Sequence, residues 1–136
     1  MAGPVSGTEV GTRLPELVIT ATPTFVVSTA IATRDFQDVH HDPELARARG
    51  SKDIFLNILT DTGLVQRFVT DWTGPDATVR RIAIRLGVPC YANDTLTFSG
   101  QVVSRTEVSD GVSLVVEVVG RNSLGDHLSG SVTVVV

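Results

Sequence analysis

The sequence predicts an α+β domain, an antiparallel sheet with one long helix packed on its face, and three observations predict it. Apolar residues recur at helical spacing from Ile54 to Trp72, four β-rich stretches follow in succession, and a strand-like stretch and a charged loop come before. Elements in that order bury their apolar faces by layering the helix on the sheet. At 136 residues the chain falls within the roughly 100–200 residues of one domain. It contains no internal repeat.

Taken in order, residues 1–12 are rich in Gly and small polar residues and read as a flexible N-terminal tail, with the domain over 13–136. Leu14 to Pro23 is β-rich and bounded by prolines, which predicts a first strand. TFVVSTAIATR reads equally as a short strand or a helical turn. The charged segment from Arg34 to Asp53 has no clean period, and such segments in compact domains carry function.

The helix is predicted over Ile54–Trp72, with Ser51 and Asp53 as N-cap candidates and Gly74-Pro75 as the stop. Ile54, Ile58, Val65, Val69 and Trp72 mark its core side, with Phe55, Leu59 and Thr62 beside them. Asn57, Thr60, Asp61 and Asp71 fall on the opposite arc, and Leu64 and Phe68 lie among them. Those two read either as an ordinary half-exposed pair or as a contact with a second subunit or a substrate. The strands are expected over Thr78–Val88, Thr95–Thr106, Val112–Gly120 and Leu128–Val136, with Asp110-Gly111 as a hairpin turn. The last strand, rich in Val, is expected to expose apolar surface or an unpaired edge, so oligomerisation is expected.

Composition excludes several classes. Charged residues make up 19% and hydrophobic ones 42%, which argues against disorder. A net charge of −4 argues against binding nucleic acid or an anionic membrane. No apolar run approaches the ~18 residues of a membrane span. The single cysteine, Cys90, permits neither an internal disulfide nor a cysteine metal cluster. With no charged-then-apolar export pattern in MAGPVSGTEVG, a reducing cytoplasm is the expected compartment.

The chemistry is concentrated in Asp35-Phe36-Gln37-Asp38-Val39-His40-His41-Asp42, three carboxylates and two imidazoles just ahead of the helix. Three readings compete. A metal site lacks an obvious third ligand apart from His127. A solvated acidic loop would use Asp side chains to cap turns. General acid–base work would aim one carboxylate and one imidazole at the same water, and imidazole titrates near neutrality. His41 reads as solvated or as a loop hydrogen-bonder, and His127, at a turn, as locally structural. Asp38 and Asp42 either tune His40 or form turns and caps. Arg81 and Arg85 fit a solvated strand face as well as they fit a phosphate contact.

The spacing Asp35-x-x-x-x-His40, followed by a long helix and four strands, resembles the MaoC-like, or (R)-specific, enoyl-CoA hydratases of the hot-dog fold. Their motif is typically Gly-Asp-x-Asn-Pro-Leu-His; here Arg34 stands for the Gly, Gln37 for the Asn and Asp38 for the Pro. Within that family, TRDFQDVHHD, GSKDIFLNILTDTGLVQRFVTDW and LGVPCYANDTLTFSG are most similar to the small MaoC-like subunits of heteromeric hydratases in actinobacterial steroid side-chain degradation. The likeness spans about Leu14 to Val136.

The resemblance implies a single hot-dog domain, an antiparallel sheet wrapped around one long central helix. It implies addition of water to a trans-2-enoyl thioester of coenzyme A, with Asp35 and His40 as the catalytic pair and neither cofactor nor metal. It places the N–H of Ile54 at the thioester oxygen. Thr62 and Gly63 match a Ser-Gly pair lining the family's pocket, although Gly63 reads equally as a site of close helix–sheet packing. The implied partners are a second MaoC-like subunit carrying an OB-fold-type domain, in a heteromer, and a thiolase-like aldolase. Two alternatives stand beside this reading: a hot-dog acyl-CoA thioesterase, and a non-catalytic partner subunit of a hydratase complex.

Overall fold

The computed structural model describes residues 5–136. Five strands form one antiparallel sheet in the order β1-β3-β4-β5-β2. They are β1 (Leu17–Thr20), β2 (Thr78–Leu86), β3 (Thr95–Val108), β4 (Gly111–Asn122) and β5 (Gly125–Val135). Helices α1 (Pro23–Ala32), α2 (Pro43–Ala48) and α3 (Ile58–Thr73) fall between β1 and β2, with a 3₁₀ turn at Asp38–His40. The expected hot-dog arrangement is present: one long helix, α3, lies against the sheet. Among the described residues no helix is long and apolar enough to cross a membrane.

Of the segment expected to be a tail, residues 1–4 lie outside the described residues. Gly11 N–H donates to the Val102 carbonyl and Val102 N–H to that of Thr12, which lays this stretch along β3. The ambiguous TFVVSTAIATR is helical. Pro23 presets φ for the first turn, and the Thr22 hydroxyl accepts from Phe25 N–H as the N-cap, so local start signals outweigh the β-branched content.

Helix α3 begins four residues later than the sequence predicts. Ile54, Phe55 and Leu56 run extended beside residues 90–92: Leu56 N–H donates to the Cys90 carbonyl at 3.0 Å and Ala92 N–H to that of Ile54 at 2.9 Å. A short apolar run fits either period, and here the buried–half-buried–buried alternation of a strand prevails. The N-cap position therefore falls to Asn57, not to Ser51 or Asp53.

The face of α3 is also corrected. The buried stripe is Thr60, Asp61, Leu64, Val65, Phe68 and Val69, while Ile58 and Leu59 are 49% and 51% exposed. Leu64 and Phe68 are thus core residues and make no outward contact. Phe68 stacks on Phe98 with ring centroids 6.1 Å apart. Gly100 on β3 makes room for it, since a Cβ there would come within 3.0 Å of the Phe68 ring. Polar Thr60 and Asp61 occupy the inner face because each has a partner there, Thr60 in Asn57 and Asp61 in His127.

The expectation for the last strand is overturned as well. β5 lies inside the sheet between β4 and β2, and Val132 and Val134 are fully buried. Strands β1 and β2 are the two edges; β2 pairs with β5 on one side only, and Arg81 and Arg85 are exposed along it.

Candidate active site

The C-terminus of α1 leads to the first candidate side chain. Arg34 follows the last turn with φ 59°, the left-handed region that the family's usual Gly adopts without cost. This bend turns the chain out of the helix and sets Asp35 on the far side. Asp35 is then held at three points. Its N–H donates to the Ala30 carbonyl at 2.9 Å, its carbonyl accepts from His41 Nε2 at 2.6 Å, and its Oδ1 accepts from Gln37 N–H at 3.3 Å. The remaining oxygen, Oδ2, faces His40 Nε2 at 3.5 Å.

His40 is almost wholly buried and closes the 3₁₀ turn. Its Nδ1 lies 2.7 Å from the Phe55 carbonyl, and the ring stands edge-on to Phe55 at 4.9 Å. A carbonyl only accepts, so Nδ1 carries the proton. In the neutral ring Nε2 is then an acceptor, and it points at a carboxylate oxygen that is also an acceptor. Two acceptors facing each other are reconciled by a molecule with two O–H donors between them, or by a proton. Such an arrangement can hold a water.

The other side chains of the cluster take structural roles. His41 is the loop hydrogen-bonder that one reading expects, tied to the Asp35 carbonyl and stacked on Phe36. Asp42 caps α2, accepting from Glu44 and Leu45 N–H. Asp38 pairs with Arg49 at 2.8 Å at the surface. Among the described residues no group of three or more His, Cys, Asp or Glu is placed to hold a metal. His127, the third ligand weighed for a metal, is buried elsewhere against Asp61 and Val88.

Of the three residues expected to meet substrate, Ile54 lies ahead of α3, and its N–H donates to Asp53 Oδ1 at 2.7 Å. Its side chain lines an open apolar groove of about 410 Å³ shared with Val27, Ile31, Pro43 and His41. The unclaimed helical amides begin instead at Ile58 and Leu59, because Asn57 makes no side-chain cap to them. Asn57 itself donates from Nδ2 to Thr33 Oγ1 at 2.8 Å, which ties this helix end to the residue two before Asp35. The resemblance puts the expected donor at Ile54, whereas the helix whose leading amides would serve begins four residues later, at Ile58.

Thr62 and Gly63 lie on the outer face of α3, on the side of Ile58 and Leu59. A Cβ on Gly63 would meet nothing within 4 Å, so close helix–sheet packing does not explain the glycine. Gly63→Ala is accordingly expected to stabilise the isolated subunit by about 0.5–1 kcal/mol through helix propensity alone. Thermal melting checks this; a destabilised variant would mean that the outer face is already covered.

Sequence reasoning missed Asp61. It lies on the first turn of α3, wholly buried, with Oδ1 at 2.8 Å from His127 Nε2 and Oδ2 without a hydrogen-bond partner. Burial drives its carboxyl above the ordinary carboxylate range, opposed by the hydrogen bond and charge of His127 and by the charge of His40. For His127, burial alone would lower the pKa. The Asp61 hydrogen bond and charge, with the Val88 carbonyl, outweigh it and hold the imidazole above its ordinary value. The Cys90 thiol is buried and pushed up to about 11, chiefly by desolvation, which leaves it inert at neutral pH.

Comparison with known proteins gives the family and the fold. No family model matches the chain. Over 125 residues it is 65% identical to the 3-oxo-4,17-pregnadiene-20-carboxyl-CoA hydratase beta subunit of Mycobacterium tuberculosis (strain ATCC 25618 / H37Rv), covering 92% of this chain and 94% of that protein. A chain of the crystal structure of the ChsH1-ChsH2 complex from Mycobacterium tuberculosis superimposes with a TM-score of 0.88 at 62% identity, over 94% of this chain and 98% of that one. The (R)-hydratase from A. caviae involved in PHA biosynthesis gives a TM-score of 0.85 at 17% identity, over 96% and 98%, a likeness of fold.

Proposed function

This chain belongs to the MaoC-like (R)-specific enoyl-CoA hydratase family, and from that premise we propose that it is the hydratase subunit acting on a steroid side-chain enoyl-CoA. The single observation that carries the proposal is the facing pair, Asp35 Oδ2 and His40 Nε2 at 3.5 Å, with the second imidazole nitrogen committed to Phe55.

A water between them donates one hydrogen to each, which directs its lone pairs outward at the β-carbon of the substrate. The pair removes one proton as the O–C bond forms, and the electrons of the double bond move onto the thioester oxygen. That oxygen needs donors placed where its charge develops. The leading amides of α3, at Ile58 and Leu59, supply them at the positive end of the helix dipole. When the enolate collapses, its α-carbon takes up a proton, and the pair holds the one it removed from the water. Hydroxyl ends on one carbon and hydrogen on the other with no net change of oxidation state, so proton transfer and a polarised carbonyl suffice. The two groups titrate as a unit, and the roles of acid and base belong to the pair.

The reading extends to assembly. The relative's name gives it a steroid carboxyl-CoA substrate and the status of a beta subunit, and the similar structure is a two-protein complex. That likeness supports a heteromer for this chain; we propose further, on the sequence resemblance, that the second subunit is MaoC-like and carries an OB-fold-type domain and that a thiolase-like aldolase associates with the pair. The unpaired β2 edge and the exposed Ile58 and Leu59 are the surfaces on which a hot-dog partner would continue the fold.

The test is reconstitution with a candidate MaoC-like partner, followed by 3-oxo-4,17-pregnadiene-20-carboxyl-CoA and a straight-chain trans-2-enoyl-CoA in parallel. The expected result is loss of the conjugated-enoyl absorbance with the steroid substrate and no release of free thiol. Thiol release would make the protein a thioesterase. Efficient straight-chain hydration by this chain alone would replace the heteromeric reading with a homomeric one.

A further inference from the structure

The buried pair on the inner side of α3 has no part in the water grip, yet it lies beneath the helix end that polarises the thioester. His127, on β5, has Nδ1 at 2.6 Å from the Val88 carbonyl, so that nitrogen carries a proton. Its Nε2 faces Asp61 Oδ1 at 2.8 Å. One further proton must lie between Nε2 and Oδ1, because otherwise a lone pair would meet a carboxylate. With that proton the pair is net neutral. Without it, one negative charge remains, wholly buried, on the first turn of α3.

Such a charge is in the wrong place for catalysis. The leading end of a helix carries about half a positive charge, and an unneutralised Asp61 within its first turn would oppose the negative charge growing on the substrate oxygen. The same charge acts on His40, whose imidazole is among the groups that Asp61 senses. Few other groups are available to compensate. Cys90, from the segment beside β5, is a neutral thiol. Asp126, next to His127, is turned to Arg121 at the surface. Asp61 Oδ2 has no partner.

We infer that Asp61 and His127 act as a one-proton positioning unit: while they share a proton the start of α3 stays electropositive toward the thioester oxygen, and loss of that proton sets the alkaline limit of hydration. The inference rests on the hydratase reading above. Neither residue touches substrate; both act through the helix end and His40.

The experiment is the pH dependence of kcat/KM for the reconstituted complex between about pH 6 and 10, for the native chain, Asp61→Asn and His127→Gln. Asn at 61 carries no charge at any pH, so the alkaline fall is expected to move up by at least one pH unit or to vanish. Gln at 127 removes the imidazole that favours the charged carboxylate, so the proton must sit on Asp61 alone, and the alkaline fall is expected to move by at least one pH unit with little change in KM. An alkaline fall that coincides with the native one, in Asp61→Asn or in His127→Gln, would overturn the inference.

A second measurement needs no variant. ¹⁵N-histidine NMR of the native complex follows His127 directly, and its titration midpoint should coincide with the alkaline fall in kcat/KM; a separation of more than one unit overturns the inference even if both variants fail to fold. Failure of the underlying reading looks different. The native complex would then hydrate nothing at any pH, and the inference would fall with it.

Discussion

Asp35→Asn is expected to lower kcat for hydration by about 10²- to 10⁴-fold, the range that a positioned proton-transfer group supplies. The substitution keeps the size of the side chain and the backbone bonds that hold residue 35 to Ala30 and His41. It changes one property, replacing an acceptor with an amide that can donate. An Asn Nδ2–H can bond His40 Nε2 directly across the 3.5 Å gap, so the two side chains would satisfy each other and release the water. KM should change little, because the carboxylate acts on water and not on the resting substrate.

His40→Ala should cost a similar factor, and the double variant little more than either single one, because residues that act as a unit are non-additive. Stopped-flow loss of the enoyl absorbance in the assembled complex measures all three. Retention of native kcat by Asp35→Asn would remove the catalytic assignment and leave this chain a non-catalytic partner.

Phe68→Ala should produce the largest loss of stability, about 3–5 kcal/mol, as for other buried aromatic truncations. For a domain of this size that lowers the melting temperature by on the order of 10 °C or more. The ring fills the space left by Gly100 and stacks on Phe98, and both neighbours belong to the sheet, so a void there is poorly closed by relaxation. Gln66→Ala, two residues away on the exposed face, should change stability by no more than about 0.5 kcal/mol. Equal melting temperatures for the two would mean that the inner and outer faces of α3 are assigned the wrong way round.

That assignment is where sequence and structure part. Asp35 and His40 are legible because their spacing and chemistry are local: five positions apart, they lie on one short segment that ends in the 3₁₀ turn Asp38–His40. The long helix and the strand succession are legible for the same reason, each marked by its own period and its own turn residues. The inner face of α3 is not, because its polarity is settled by partners far away in the chain. Asp61 reads as an outward residue until His127, 66 positions on, is folded against it.

Ile58 and Leu59 read as core, yet they lie on the side that a single subunit leaves open. The start of α3 is missed because Ile54-Phe55-Leu56 carries no periodicity long enough to distinguish strand from helix, and its pairing with Cys90–Ala92 is again long-range. Arg34 is the converse case. Its departure from the family's glycine is plain in the sequence, but the reason glycine is usual becomes clear only from a φ of 59°.

The nine residues of β2 have a consequence for how the chain must be made. Their outer row of amide and carbonyl groups is a template for any extended peptide that meets it. If the chain works in the proposed heteromer, a copy synthesised ahead of its companion would offer an aggregation seed and a proteolytic target while it is alone, and matched output of the two polypeptides, in amount and in time, would protect the fold.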